Sequence, residues 1–256
     1  DLLPYDHRHG PGGSPVLVGN VLVVACDGAD MQYVVGLDAN TGKTLWKADR
    51  EKAEMAYSTP LAIDVDGVLQ VVSSSGGGVW AYDARSGAEL WRSRYEGHSV
   101  IPRPVFANGM VYVCSGYWTP SVYAIRPDGA GDVTATHSQN LVRRGVPFTP
   151  SPLIVENDMY LLSDMGVLTC VDISTGKERW RKRMTGNYSA SPTLADGKIY
   201  VVSEEGVTTV LATGPKADVL ASNQLDGRSL ASPAFVDGAI FYRSESHLYG
   251  IGNVQT

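Results

Sequence analysis

The sequence predicts an all-β protein, a β-propeller made of four-stranded antiparallel blades. Three observations predict it. A ten-residue phrase recurs as Leu37-Asp38-Ala39-Asn40-Thr41-Gly42-Lys43-Thr44-Leu45-Trp46, as Tyr82-Asp83-Ala84-Arg85-Ser86-Gly87-Ala88-Glu89-Leu90-Trp91, and as Val171-Asp172-Ile173-Ser174-Thr175-Gly176-Lys177-Glu178-Arg179-Trp180. A Pro opens an apolar run at Pro15, Pro60, Pro104, Pro152, Pro192 and Pro233, a period of about 40–45 residues. A turn pair follows each Pro: Gly19-Asn20, Asp66-Gly67, Asn108-Gly109, Asn157-Asp158, Asp196-Gly197 and Asp237-Gly238.

Each module therefore reads as strands A to D. Pro suits the first residue of strand A, where no ladder donor is missed. The Asp-Gly or Asn-Gly pair tolerates positive φ and closes the A–B hairpin. Strand C leads into the Asp-x-x-Thr-Gly turn, whose Gly takes the left-handed conformation. Strand D carries the Trp. Six modules are visible, at about 14–55, 56–97, 98–146, 147–186, 187–227 and 228–256 plus 1–6. Module three has Pro127-Asp128-Gly129 at the C–D turn and Val133 near the Trp position. Module five has Thr213-Gly214-Pro215, with Leu220 near that position and a D strand expected to be short or at an edge. Module six has no D strand, so residues 1–6 are expected to supply it and close the ring. A seven- or eight-bladed ring with further blades before Asp1 predicts the same ends.

Bulk composition limits the function. With 21 basic and 27 acidic residues the net charge is −6, which opposes non-specific nucleic-acid binding. No run of about 18 apolar residues predicts a transmembrane segment. Cys26, Cys114 and Cys170 lack metal or disulfide spacing and read as buried thiols in apolar strands. No nucleophile elbow or phosphate-binding loop is present. Gly76-Gly77-Gly78 reads as a flexible B–C turn, and Asp64-Val65-Asp66-Gly67 lacks the later ligands of a calcium loop.

The phrase Leu-Asp-x-x-Thr-Gly-x-x-x-Trp at this period resembles the pyrroloquinoline-quinone-like propeller repeat, over the whole chain. That family includes periplasmic quinoprotein dehydrogenases and the lipoprotein that assists outer-membrane barrel assembly. The resemblance implies a periplasmic or extracellular location, although no signal peptide is read in this chain. It implies that a quinone dehydrogenase would need a vicinal cysteine pair, an axial calcium and usually eight blades. No two cysteines here are adjacent, so no cofactor and no metal is expected. The three repeat tryptophans read as packing residues between blades.

Loops on a rigid scaffold carry function more often than the scaffold does. The D-to-A and B-to-C connections of a propeller meet on one face, where four of the five histidines fall. The ligand-binding candidates there are His9, Tyr57, His98, Arg103, Arg144, Tyr188 and His247, with His7, Tyr117, Trp118, Arg143 and Phe148 in the same connections. Arg103 replaces the small residue that precedes Pro elsewhere, and its guanidinium suits a carboxylate, sulfate or phosphate. His7 and His9 lack a third ligand for zinc. Together these readings predict a monomeric, non-catalytic binding or scaffolding propeller of the bacterial envelope, engaging a protein or an anionic polysaccharide. The alternatives are a lyase of acidic polysaccharides, with Tyr57 or His98 as base and Arg103 on the uronate, and a quinone-dependent dehydrogenase.

Overall fold

The computed structural model describes residues 3–51 and 54–252. These residues form strands, turns and loops with no helix, so no helix is long and apolar enough to cross a membrane. The chain divides into two compact units, Asp1–Phe148 and Thr149–Thr256.

The first unit holds three sheets. The first runs in order through β1 (Val16–Val18), β2 (Val21–Asp27), β3 (Gln32–Asp38) and β4 (Thr44–Asp49). The second holds β5 (Leu61–Val65), β6 (Val68–Ser75), β7 (Gly78–Asp83) and β8 (Glu89–Arg94), with β12 (Gly131–Asp132) added beside β8. The third is β9 (Val105–Ala107), β10 (Met110–Cys114), β11 (Val122–Ile125) and β13 (Ser138–Val142). The second unit repeats the plan. Its sheets are β14 (Leu153–Val155) to β17 (Glu178–Arg183), then β18 (Thr193–Ala195) to β21 (Val219–Gln224). The last is a three-stranded sheet of β22 (Ala234–Val236), β23 (Ala239–Arg243) and β24 (Leu248–Gly252).

Local chemistry explains the repeat. Asp172 Oδ1 accepts from the backbone N–H of Ser174 and Thr175 at 3.0 and 2.9 Å, and from their hydroxyls at 2.6 and 2.9 Å. Asp38 and Asp83 do the same for Thr41 and Ser86. The turn closes with Gly42, Gly87 and Gly176 at φ 69°, 73° and 68°, where a side chain would be strained. The Asp172 carboxyl is held down to about 2, chiefly by the Ser174 and Thr175 hydroxyls.

The tryptophans join neighbouring sheets. Trp46 lies between Gly36 of its own sheet and Gly87 of the next, where a Cβ at either glycine would overlap the ring. Its Nε1 donates to the Ala84 carbonyl at 3.1 Å. Trp180 Nε1 donates to the Gly214 carbonyl at 3.0 Å. Trp91 reaches the following turn through a relay: Nε1 donates to Gln70 Oε1 at 2.8 Å, and Gln70 Nε2 donates to the Pro127 carbonyl at 3.2 Å. In all three sheets a β-bulge falls one residue beyond the strand C partner of the Trp.

Four expectations change. Val133 is not in the fourth strand of the third sheet. Gly131 and Asp132 pair in parallel with Trp91 and Arg92, and Val133 is buried in the second sheet's core. The fourth strand is instead β13, which begins five residues beyond Val133. In the fourth module the A–B turn sits at Glu156 and Asn157, with Glu156 at φ 55°, since Val155 pairs with Asp158. In the fifth module β21 is six residues long, exposed throughout and at the sheet edge. Its register places Ala221, not Leu220, opposite Val210, the position Trp180 occupies opposite Cys170. One extra residue in the turn shifts the count: the Ala212 N–H donates to the Asp218 carbonyl, where Asp172 in the fourth sheet reaches Lys177. Finally, residues 3–6 form no strand. Leu3 and Tyr5 pack against Cys26, Tyr33 and Val35 of the first sheet, and Tyr33 Oη donates to the Pro4 carbonyl at 3.2 Å. Asp1 and Leu2, on which the proposed closing strand also rests, lie outside the described residues.

Candidate functional site

Within each unit the D-to-A and B-to-C connections interlock through backbone hydrogen bonds. Ala29 N–H donates to the Asp6 carbonyl at 2.7 Å, Tyr117 to His98 at 2.9 Å, Glu204 to Asn187 at 2.8 Å and Glu245 to Arg228 at 2.8 Å. The Gly76–Gly78 turn belongs to this set and is pinned rather than flexible. Gly76 and Gly77 donate to the Glu54 and Gly97 carbonyls at 3.1 and 3.0 Å, and a Cβ on Gly76 would overlap the Glu54 backbone.

At three positions the residue before the Pro uses a hydroxyl as acceptor. The Ser14 N–H donates to Thr59 Oγ1 at 2.9 Å, Ser151 N–H to Ser191 Oγ at 2.9 Å, and Ser191 N–H to Ser232 Oγ at 2.9 Å. The hydroxyl of one module thus satisfies the N–H of the module before it. Arg103 breaks the series. There the chains are held differently: Tyr57 N–H donates to the Val100 carbonyl at 2.7 Å and Ser58 Oγ to the Pro102 carbonyl at 2.9 Å. The segments carrying Tyr57 and His98 consequently run side by side and parallel, with Ala56 bridged to Val100.

Two aromatic groups form on these connections. In one, the Tyr57 ring lies 4.7 Å from His7 and 6.0 Å from His9, and His7 lies 5.2 Å from Tyr5. The Tyr57 hydroxyl and His7 Nδ1 are buried without a hydrogen-bond partner. Burial pushes the Tyr57 phenol up. In the other, the His98 ring lies 3.9 Å from Trp118 and 5.8 Å from Tyr117, and Tyr117 stacks on Phe148 at 4.5 Å with 13° between planes.

The second group is built by a short closed loop. Ser115 N–H donates to the Ser121 carbonyl and Ser121 N–H to Ser115 Oγ, both at 3.0 Å. Gly116, at φ 77°, lets the loop approach the His98 carbonyl. Trp118 is 73% exposed and sits at φ 82°, a conformation costly for a bulky L-residue. The sequence places Trp118 in a connection but carries no signal that the backbone presents it outward.

The other candidates separate. Arg103 and Arg144 are exposed in the first unit. His247 is exposed in the second, its Nδ1 2.8 Å from Ser246 Oγ. Tyr188 is 1% exposed, packs with Tyr160, Leu168 and Met184, and donates its hydroxyl to the Thr185 carbonyl at 3.0 Å. Burial drives its phenol up to about 12. It serves the core rather than the surface. The cysteines are buried and unpaired, with Cys114 and Cys170 pushed up to about 12 by burial. Among the described residues no group of three His, Cys, Asp or Glu side chains gathers as a metal site. One charged pair is deeply buried: Arg50 Nη1 meets both oxygens of Asp27 at 2.8 and 2.9 Å, and its Nε donates to Tyr82 Oη at 3.1 Å.

Repeated antiparallel sheets, three of them closed by an Asp-capped Gly turn and locked to the next by a strand D tryptophan, define a propeller of the quinone-like repeat class. A family model described as outer membrane protein assembly factor BamB matches residues 30–132 and 120–251, and the chain belongs to that family. The BamB of Marinobacter adhaerens is 28% identical over 111 residues, 43% of this chain and 28% of that protein. The serine/threonine-protein kinase AfsK of Streptomyces griseus is 28% identical over 178 residues, 66% of this chain and 21% of the kinase. The crystal structure of BamB from Moraxella catarrhalis superposes with a TM-score of 0.67 at 17% identity, covering 90% of this chain and 66% of that one. That likeness establishes the propeller fold, and the six sheets match the six modules. The chain spans between a fifth and two thirds of the length of these three proteins.

Proposed function

We propose that the protein is a non-catalytic scaffold of the bacterial envelope that binds another protein of the outer-membrane assembly apparatus. The observation that carries this reading is the platform of His98, Tyr117, Trp118 and Phe148. An exposed indole held in a strained backbone, ringed by packed aromatics, has the make-up of an interface anchor. Membership of a family described as an outer membrane protein assembly factor supports a periplasmic site of action and a protein partner.

A lyase acting on acidic sugars has weaker support. A general base should have its pKa drawn toward the working pH, yet burial moves the Tyr57 phenol the other way. An anionic glycan at the same face rests on the exposed guanidinium groups of Arg103 and Arg144. The deciding experiment is quantitative recovery of the outer-membrane assembly apparatus with the tagged protein from envelope extracts. Trp118→Ala should lower recovery at least about tenfold. Equal recovery, or an unsaturated product from uronate polymers that vanishes in Tyr57→Phe, would overturn the scaffold reading.

A further inference from the structure

The fifth sheet lacks the tryptophan that locks other sheets to their neighbours, and the space remains. Trp46, Trp91 and Trp180 face Gly36, Ala81 and Cys170 across the C–D ladder. In the fifth sheet the equivalent partners are Val210 and Ala221. On the corresponding side lies a cavity of about 370 Å³. It is lined from the fifth sheet by Tyr200, Val210 and Asn223, and from the sixth by Ile240, Tyr242 and Ile251. Ala221 shares the face of Asn223, two residues along the strand, and is exposed. The cavity therefore opens where the other sheets place an indole.

The lining suits an indole. It is apolar over most of its wall, and its volume lies in the range of small-ligand sites. Tyr242 is 2% exposed and its hydroxyl has no hydrogen-bond partner. An unsatisfied buried hydroxyl is costly, and it can accept from an indole N–H as the Ala84 and Gly214 carbonyls do. The mouth borders β21, which is the outer edge of its sheet among the described residues and is exposed along all six residues. An extended segment can pair with such an edge and turn alternate side chains toward one face.

We infer that this cavity is a second binding site, taking a tryptophan side chain from an extended segment of a protein partner laid along β21. The inference rests on the reading that the partner is a protein, but its first test does not. Free indole should raise the melting temperature of the wild-type protein saturably, by preferential binding to the folded state. Ala221→Trp, which fills the space from within, should raise the melting temperature without indole and abolish the response to it. Tyr242→Phe should keep the fold and weaken indole binding by up to about tenfold. Trp118→Ala should leave it unchanged, which separates this site from the aromatic platform. A tryptophan-containing extended peptide should bind more tightly than its alanine counterpart, and Ala221→Trp should remove the difference. The site is refuted if indole fails to stabilise the wild type, or stabilises Ala221→Trp equally. Indole binding without a tryptophan preference in the peptide would refute the protein segment as occupant.

Discussion

Ser191 donates its backbone N–H to Oγ of Ser232 at 2.9 Å, while its own Oγ accepts from the N–H of Ser151 at the same distance. One side chain thus satisfies the module before it, and one N–H is satisfied by the module after it. Ser191→Ala should leave the Ser151 N–H without its acceptor and cost about 0.5–1.5 kcal/mol. Ser191→Thr should retain most of the stability. Urea midpoints for the two variants provide the measurement.

The tryptophans should rank by burial. Trp46→Ala and Trp91→Ala remove rings almost wholly buried and should each cost about 3–5 kcal/mol. Trp180, only half-buried, should cost less when truncated. Equal losses at all three positions in denaturant titrations would contradict the packing described.

The Asp27–Arg50 pair is enclosed, with side chains 3% and 0% exposed. Arg50→Met alone strands a buried carboxylate and should cost about 3–5 kcal/mol. The double variant Asp27→Leu with Arg50→Met should regain most of that loss. A double-mutant cycle showing additive effects would exclude the coupling.

Asp172 gives the protein an acid-sensitive turn. Its carboxyl is held at about 2, below the ordinary 3.8. A group depressed on folding contributes stability that is complete above its unfolded pKa and is lost as pH falls through the folded one. Stability should therefore decline between about pH 4 and pH 2, and Asp172→Asn should flatten that part of the profile. Unfolding midpoints across the acid range, compared between wild type and variant, test the sign.

Trp118 separates stability from binding. Trp118→Gly removes the side chain from a positive-φ position, relieving a strain of about 1 kcal/mol or more, so the melting temperature should hold or rise. Partner recovery should fall as it does in Trp118→Ala. A marked loss of stability in the glycine variant would mean that the ring is structural.

Much of this architecture is legible in the sequence because the repeat is written in local chemistry. Asp38, Asp83 and Asp172 cap their own turns, and Gly42, Gly87 and Gly176 take a conformation few other residues accept. The Asp-Gly and Asn-Gly pairs mark hairpins for the same reason. Long-range choices are less visible. Nothing local says that Val133 abandons its own sheet for the core around Trp91, or that one extra turn residue moves the tryptophan position from Leu220 to Ala221. The aromatic candidates on the connections could be named from sequence, but not sorted. Tyr188 and Trp118 are both aromatic and both near turns. Packing buries one under Met184, while a left-handed backbone turns the other outward.

The two-residue strand β12 has a mechanical consequence. It lies along β8, and the Val133 N–H donates to the Arg92 carbonyl at 2.9 Å beside it. A piece of the third module thus covers a rim that would otherwise attract foreign chains. It also bolts the second and third modules together, so that under a pulling force these two should yield in one step, where modules lacking such a clasp can peel away singly.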